Sequence, residues 1–298
     1  MQYVLTLIDG SPAPGLDQQA LSTLCAPLEA AGAVVGSPIW LAPGAACDIP
    51  FDGIEPIVAE QIIRRSLGNA AIDLAAQNAS GRRKMILVAD MESTIVTAEL
   101  LDELAASLGI AEAIAPITAR SMRGEIEFAQ SLRERVSLLA DRPEAVLEPI
   151  AARIELMAGA RQLVQTMRAG GAYTALVSGG FDCFAAIVAK TCGFDEFHAN
   201  HLGVANGKIT GQVAEPILDR SSKATILERL AVDRGIPLES TAAIGDGAND
   251  IAMLQIAGLG AAYHGKPAVA AAARFRLNHS DLTGLLYLQG YHSREFKE

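Results

Sequence analysis

The run Met85-Ile86-Leu87-Val88-Ala89-Asp90 decides how the rest of the chain is read. Five apolar residues are closed by an acid. So short a run, without polar alternation, is the pattern of a strand buried on both faces, as in a parallel sheet. AYTALVSGG (172–180) and STAAIGDG (240–247) repeat it. Helical apolar patterns that stop at glycine lie among them: Leu163, Val164 and Met167 before Gly170, Ile187 and Val188 before Gly193, and Ile226, Leu227 and Leu230 before Gly235. Strands alternating with glycine-stopped helices predict an α/β fold built on a doubly wound parallel sheet.

Two inserts break the alternation. Residues 97–155 hold only helical patterns, one with Leu100, Leu101, Leu104 and Leu108 on a face, another with Ala129, Leu132, Val136 and Leu139. An all-helical insert directly after the first strand predicts a cap. The second insert, HLGVANGKITGQV (201–213), places Asn206-Gly207 between β-prone runs, a type I′ hairpin signal. Upstream, residues 1–80 read as a small separate α/β unit. YVLTLI and AVVGSPIWLA are its predicted strands, residues 17–31 and PIVAEQIIRRSL its helices, and NASGRRK the linker to the domain spanning 81–298. The strand–helix–strand order suits a ferredoxin-like module.

Half of the 298 residues are hydrophobic, which is ample for a core. The formal charge of −10 disfavours nucleic acid and anionic membrane as partners. No apolar stretch is long enough for a membrane span or signal peptide. Cys25, Cys47, Cys183 and Cys192 show no C-x-x-C spacing, as expected of thiols kept reduced in the cytoplasm. Beyond a loose H-x-x-H at His198 and His201 in a strand-like stretch, the five histidines form no metal-ligand arrangement and are read as structural.

In open parallel sheets, ligands bind beyond the carboxyl ends of the strands. Three predicted strands end in polar turns: Asp90-Met91-Glu92-Ser93-Thr94, Ser178-Gly179-Gly180, and Gly245-Asp246-Gly247-Ala248-Asn249-Asp250. Carboxylates gathered at adjacent strand ends repel one another, and Mg²⁺ with oxygen ligands is the natural compensation. The Ser178-Gly179-Gly180 turn enters a helix at about Asp182, so its amides would face an anion. Lys223, at the start of another helix, is placed to neutralise a phosphate oxygen.

Taken together, Asp90-x-Glu92-Ser93-Thr94, Ser178-Gly179-Gly180-Phe181-Asp182, Lys223 and Gly245-Asp246-Gly247-x-Asn249-Asp250 resemble the haloacid dehalogenase superfamily, and within it the phosphoserine phosphatases. The resemblance covers roughly residues 84–290, with the motifs in the family's order and spacing. It implies a Mg²⁺-dependent hydrolysis of phosphoserine through an aspartyl-phosphate on Asp90. It further implies metal binding by Asp90, Asp246, Asp250 and the Glu92 main-chain carbonyl. Ser178, Gly179, Gly180 and Lys223 would hold the phosphoryl oxygens, with Asn249 nearby. Glu99 would meet the substrate's ammonium, and Arg135 its carboxylate. Phe128, within the cap signature MRGEIEFAQSLRERVSLL (122–139), would be a substrate-contacting aromatic. By the same resemblance residues 1–80 are a regulatory amino-acid-binding module; a packing or homodimerisation unit without a ligand is the competing expectation.

One position departs from the family. Where it has Asp two residues after the nucleophile, this chain has Glu92. The family uses that side chain to protonate the leaving oxygen and then to activate water. Acidity is not the obstacle, because Asp and Glu differ by only about 0.4 pKa unit. Reach is, since one extra methylene shifts the carboxyl by about 1 Å, and such a displacement can cost ~10²-fold. Three readings are therefore carried forward: a phosphoserine phosphatase with Glu92 as acid and base, a phosphatase or phosphotransferase for another small phosphomonoester, and a non-catalytic sensor of phosphate or amino acid weakened by Glu92.

Overall fold

The computed structural model describes all 298 residues. The chain begins with β1 (Tyr3–Asp9), α1 (Gln18–Ala30), β2 (Val34–Val35), β3 (Ile39–Ala42), β4 (Ala46–Asp52), α2 (Pro56–Leu67) and β5 (Ile72–Asn78). These strands form an antiparallel sheet in the order β2-β4-β1-β5, with β3 also on β4. This is a ferredoxin-like order, packed on its own apolar cluster that includes Leu5, Leu7, Leu21, Leu28, Ile49, Phe51 and Ile63.

Two details differ from the sequence reading. The predicted second strand is broken at Gly36-Ser37-Pro38 into β2 and β3. A proline supplies no ladder donor, so the chain bends there. Strands β4 and β5 were absent from the prediction. Pro50 and Asp48 disguise the first and an alanine-rich composition the second, yet both flank the central β1 along most of its length.

The second sheet begins at β6 (Ile86–Ala89), whose four residues are all buried. The helical insert follows as α3 (Leu100–Ser107), α4 (Ala111–Met122), α5 (Phe128–Ser137) and the short α6 (Glu148–Ala151). Its apolar faces, including Leu100, Leu104, Leu132, Val136 and Leu139, join the main core. Next come α7 (Ala160–Ala169), β7 (Tyr173–Phe181), α8 (Asp182–Cys192) and β8 (Glu196–Asn200). The hairpin β9 (Leu202–Ala205) and β10 (Lys208–Val213) turns through Asn206 and Gly207, both at positive φ (53° and 72°), as a type I′ turn requires. The chain ends with α9 (Arg220–Arg234), β11 (Thr241–Gly245), α10 (Ile251–Ile256), β12 (Leu259–Tyr263), α11 (Pro267–Ala272), β13 (Phe275–Leu277) and α12 (Gly284–Leu288).

The second sheet is wholly parallel, in the order β13-β12-β11-β6-β7-β8. Successive strands leave β6 first on one side, through β7 and β8, then on the other, through β11, β12 and β13. The order reverses beside β6, and the crevice at such a reversal is where doubly wound sheets bind ligands. The two sheets are joined by buried charge. Asp48 receives the guanidinium of Arg82 at 2.5 Å, and Asp73 accepts the main-chain N–H groups of Asn278, His279 and Ser280 at 2.8, 3.1 and 2.8 Å. Glu60 pairs with Arg274 at 2.7 Å.

Candidate active site

Asp90 stands one residue beyond β6, and Asp246 one residue beyond the neighbouring β11. Asp250 precedes α10, so the loop after β11 returns its carboxylate to the same place. Asp90, Asp246 and Asp250 are all buried, and one ligand atom from each falls within 4.8 Å of the others. Lys223, in the first turn of α9, is 2% exposed and reaches into this cluster. Its Nζ lies 2.6 Å from Asp90 and 2.5 Å from Asp250. The helix that delivers it is fixed by a capping box between Asp219 and Ser222.

Three buried carboxylates face one buried ammonium. Burial raises the Asp90 carboxyl well above the usual range, the charge of Asp250 raises it further, and Lys223 opposes both. Burial also raises Asp246. Burial disfavours the charged form of Lys223, but Asp90 and Asp250 outweigh it and hold its pKa above the ordinary value. The cluster carries more negative charge than the protein neutralises. An oxygen-lined, charge-deficient trio of this kind fits a hard divalent cation.

Ser178 ends the fully buried part of β7 and is 1% exposed. Gly179 and Gly180 follow, and a side chain at either position would press on a residue of the site. A Cβ on Gly179 would stand 3.1 Å from the Phe128 ring, and one on Gly180 2.9 Å from a Glu92 carboxylate oxygen. The Gly180 N–H, expected to face an anion, donates instead to Ser178 Oγ at 2.9 Å. It therefore orients the serine hydroxyl.

The cap closes over these strand ends. Glu92 accepts the main-chain N–H of Leu100, the first residue of α3, at 2.8 Å. Its carboxyl is pushed up to about 7, by burial first and by Glu99 second. Glu99 accepts the Ser93 hydroxyl at 2.9 Å. Arg135, on α5, is half-buried, which lowers its pKa, while Asp102, Glu92 and Glu99 act against that lowering. Phe128 opens the same helix. Glu92, Glu99, Asp102, Phe128 and Arg135, together with exposed Asn249, line one cleft of about 460 Å³ between the cap and the strand ends. A second hollow, of about 540 Å³, lies near Tyr173, at the start of β7. It is lined by Arg168, Asp195 and Arg234 and holds no carboxylate cluster.

Every residue given a catalytic, substrate or metal role in the sequence thus lines this cleft or the carboxylate cluster within it. Sequence reasoning missed others. Thr94, present in the first motif but given no role there, donates to Asp246 at 3.4 Å. Lys266 reaches Asp246 at 3.6 Å. It follows β12, so the strand-end rule applied to a fourth strand would have found it. Asp102 faces Arg135 from α3 and carried no signal beyond its helical position.

The model of the haloacid dehalogenase-like hydrolases matches residues 87–255. A phosphoserine phosphatase of Archaeoglobus fulgidus is 40% identical over 225 residues, covering 75% of this chain and 65% of the relative. The chain thus spans just under two thirds of that protein's length. Among solved structures, a HAD family hydrolase of Salmonella enterica serovar Typhi superposes with a TM-score of 0.83 at 26% identity, over 96% of this chain and 98% of its own. A probable phosphoserine phosphatase of Vibrio cholerae superposes with a TM-score of 0.78 at 30% identity, over 99% of this chain and 88% of its own.

Proposed function

The chain belongs to the haloacid dehalogenase-like hydrolase family, and on that premise we propose that it hydrolyses O-phosphoserine to serine and inorganic phosphate, the last step of serine biosynthesis, in the cytoplasm. One observation carries the reading. Asp90, Asp246 and Asp250 converge beside Lys223, beneath a cap that presents Glu99 and Arg135. The first group suits a phosphoryl centre, and the second matches the one cation and one anion of an amino acid.

Mg²⁺ fits the donor set. Asp90, Asp246 and Asp250, with the main-chain carbonyl of Glu92, are the groups that would hold it. When bound, it offsets the negative charge of the phosphate dianion so that a carboxylate can approach phosphorus.

The chain's own residues supply the rest. A carboxylate oxygen of Asp90 forms a bond to phosphorus as the bond from phosphorus to the serine oxygen breaks, leaving an acyl phosphate on Asp90. Alkoxide is a poor leaving group, so the carboxyl of Glu92 donates its proton to the departing oxygen. Such help is worth ~10²–10⁴-fold. Ionised Glu92 then takes a proton from water as that oxygen attacks phosphorus, which frees inorganic phosphate and Asp90. Ser178 and Lys223 hold the non-bridging oxygens, where charge shifts during both transfers. Glu99 pairs with the ammonium and Arg135 with the carboxylate. The cap keeps bulk water from the first transfer.

The test is phosphate release from O-phosphoserine with and without Mg²⁺, with Asp90→Asn as the control. Hydrolysis of p-nitrophenyl phosphate without turnover of phosphoserine would remove phosphoserine as the substrate.

A further inference from the structure

Between β7 and β8 the parallel ladder loses its register at the phosphoryl-binding turn. Val177 pairs with His198, and Phe181 with Asn200. The chain advances four residues along β7 where β8 advances two, so Ser178, Gly179 and Gly180 bulge out of the sheet. Bulges of this kind re-aim groups beside active sites and leave ladder partners unmatched. Asn200, at the end of β8, makes good the loss. Its side chain is 2% exposed, and its Nδ2 donates to the Gly179 carbonyl at 2.8 Å.

The other side of the same amide holds a second loop. Oδ1 accepts the Leu218 N–H at 2.8 Å, and Nδ2 makes a longer 3.5 Å contact to the Leu218 carbonyl. Leu218 immediately precedes Asp219, the cap of the helix that carries Lys223. One buried amide therefore bridges the turn that presents Ser178 and the loop that delivers Lys223. Only one orientation of the amide satisfies all three partners, because two of them are acceptors and one is a donor.

We infer that Asn200 is a positioning residue for phosphoryl transfer, setting the distance between the Ser178 turn and Lys223 without touching the substrate itself. The inference rests on the cleft being a phosphoryl-transfer site, as proposed above. It draws on no property of the amino-acid end of the substrate.

The decisive variant is Asn200→Asp. It preserves shape but sets an acceptor against the Gly179 and Leu218 carbonyls. Asn200→Ser, too short to bridge, is the second variant should the first fail to fold. Three quantities are read on the full chain with Mg²⁺: kcat on phosphoserine, the affinity for orthovanadate as a phosphoryl analogue, and the affinity for serine. Positioning predicts kcat lower by ~10²-fold, as displacements near 1 Å produce, with orthovanadate affinity weakened and serine affinity kept. Unchanged kcat and orthovanadate affinity would overturn the assignment. So would a parallel loss of orthovanadate and serine affinity, which would mark general loosening. A wild-type protein that binds orthovanadate but does not turn over phosphoserine would refute the substrate reading alone, and the orthovanadate comparison would still judge Asn200.

Discussion

Lys223 Nζ lies 2.6 Å from Asp90 and is shut away from water. The same ammonium touches Asp250, so a single cation restrains two carboxylates delivered from different strands. Removing one partner of a buried ion pair leaves the other charged and unpaired, at a cost of about 3–5 kcal/mol. Lys223→Met should therefore lower both stability and turnover. Denaturant unfolding in the absence of metal and phosphate release in its presence would measure the two effects. A variant as active as the wild type would exclude Lys223 from the reaction.

Glu92 makes a prediction with a definite sign. Burial and the charge of Glu99 push its carboxyl up to about 7 from the ordinary 4.5. The protonated form, needed to release an alkoxide, therefore dominates below that pH and is lost above it. Phosphorylation of the enzyme by phosphoserine should slow as pH rises and that proton is lost. The same step with p-nitrophenyl phosphate, whose leaving group needs no proton, should not. Glu92→Gln should lose ~10²–10⁴-fold on phosphoserine and far less on the aryl ester. Equal losses on both would end the assignment of Glu92 as the acid.

The raised value also predicts a stability trend in the metal-free protein. The folded state holds the Glu92 proton where the unfolded chain has released it, so this contribution is complete below 4.5 and disappears as pH rises through about 7. The difference in unfolding free energy between Glu92→Gln and wild type should move in favour of the variant over that interval. Chemical denaturation at several pH values reads it directly.

Arg135 is reserved for the amino-acid end. Charge-assisted hydrogen bonds contribute about 1.5–3 kcal/mol, so Arg135→Met should raise KM for phosphoserine by ~10–10²-fold and leave KM for p-nitrophenyl phosphate nearly unchanged. A uniform rise for both substrates would mean that Arg135 supports the cap rather than the substrate.

The joint between the two sheets can be tested apart from chemistry. Asp48 is 5% exposed and takes both Arg82 and the Thr6 hydroxyl. Arg82→Met should destabilise the chain by about 3–5 kcal/mol, while kcat of the folded fraction stays at the wild-type value. Loss of turnover without loss of stability would instead point to communication between residues 1–78 and the cleft.

Much of this molecule was legible in one dimension. Period and length of apolar runs marked β6, β7 and β11, because strands covered on both faces cannot alternate. Glycine stops marked α7, α8 and α9, whose next residues are Gly170, Gly193 and Gly235. The acids at the strand ends followed, since parallel strands put all their carboxyl ends on one side. β4 and β5 were hidden because their residues gain strand conformation from pairing with β1 rather than from local preference.

The chain's residue types and their order alone determined the central strands β6, β7 and β11, the helices that stop at glycine, and which side chains are chemically able to act. Tertiary structure alone decided how those side chains share charge: Lys223 between Asp90 and Asp250, Lys266 beside Asp246, and Asn200 across two loops. Those relations depend on burial and on distances between residues far apart in the chain. Both appear only when the strands stand side by side and water is excluded from their ends.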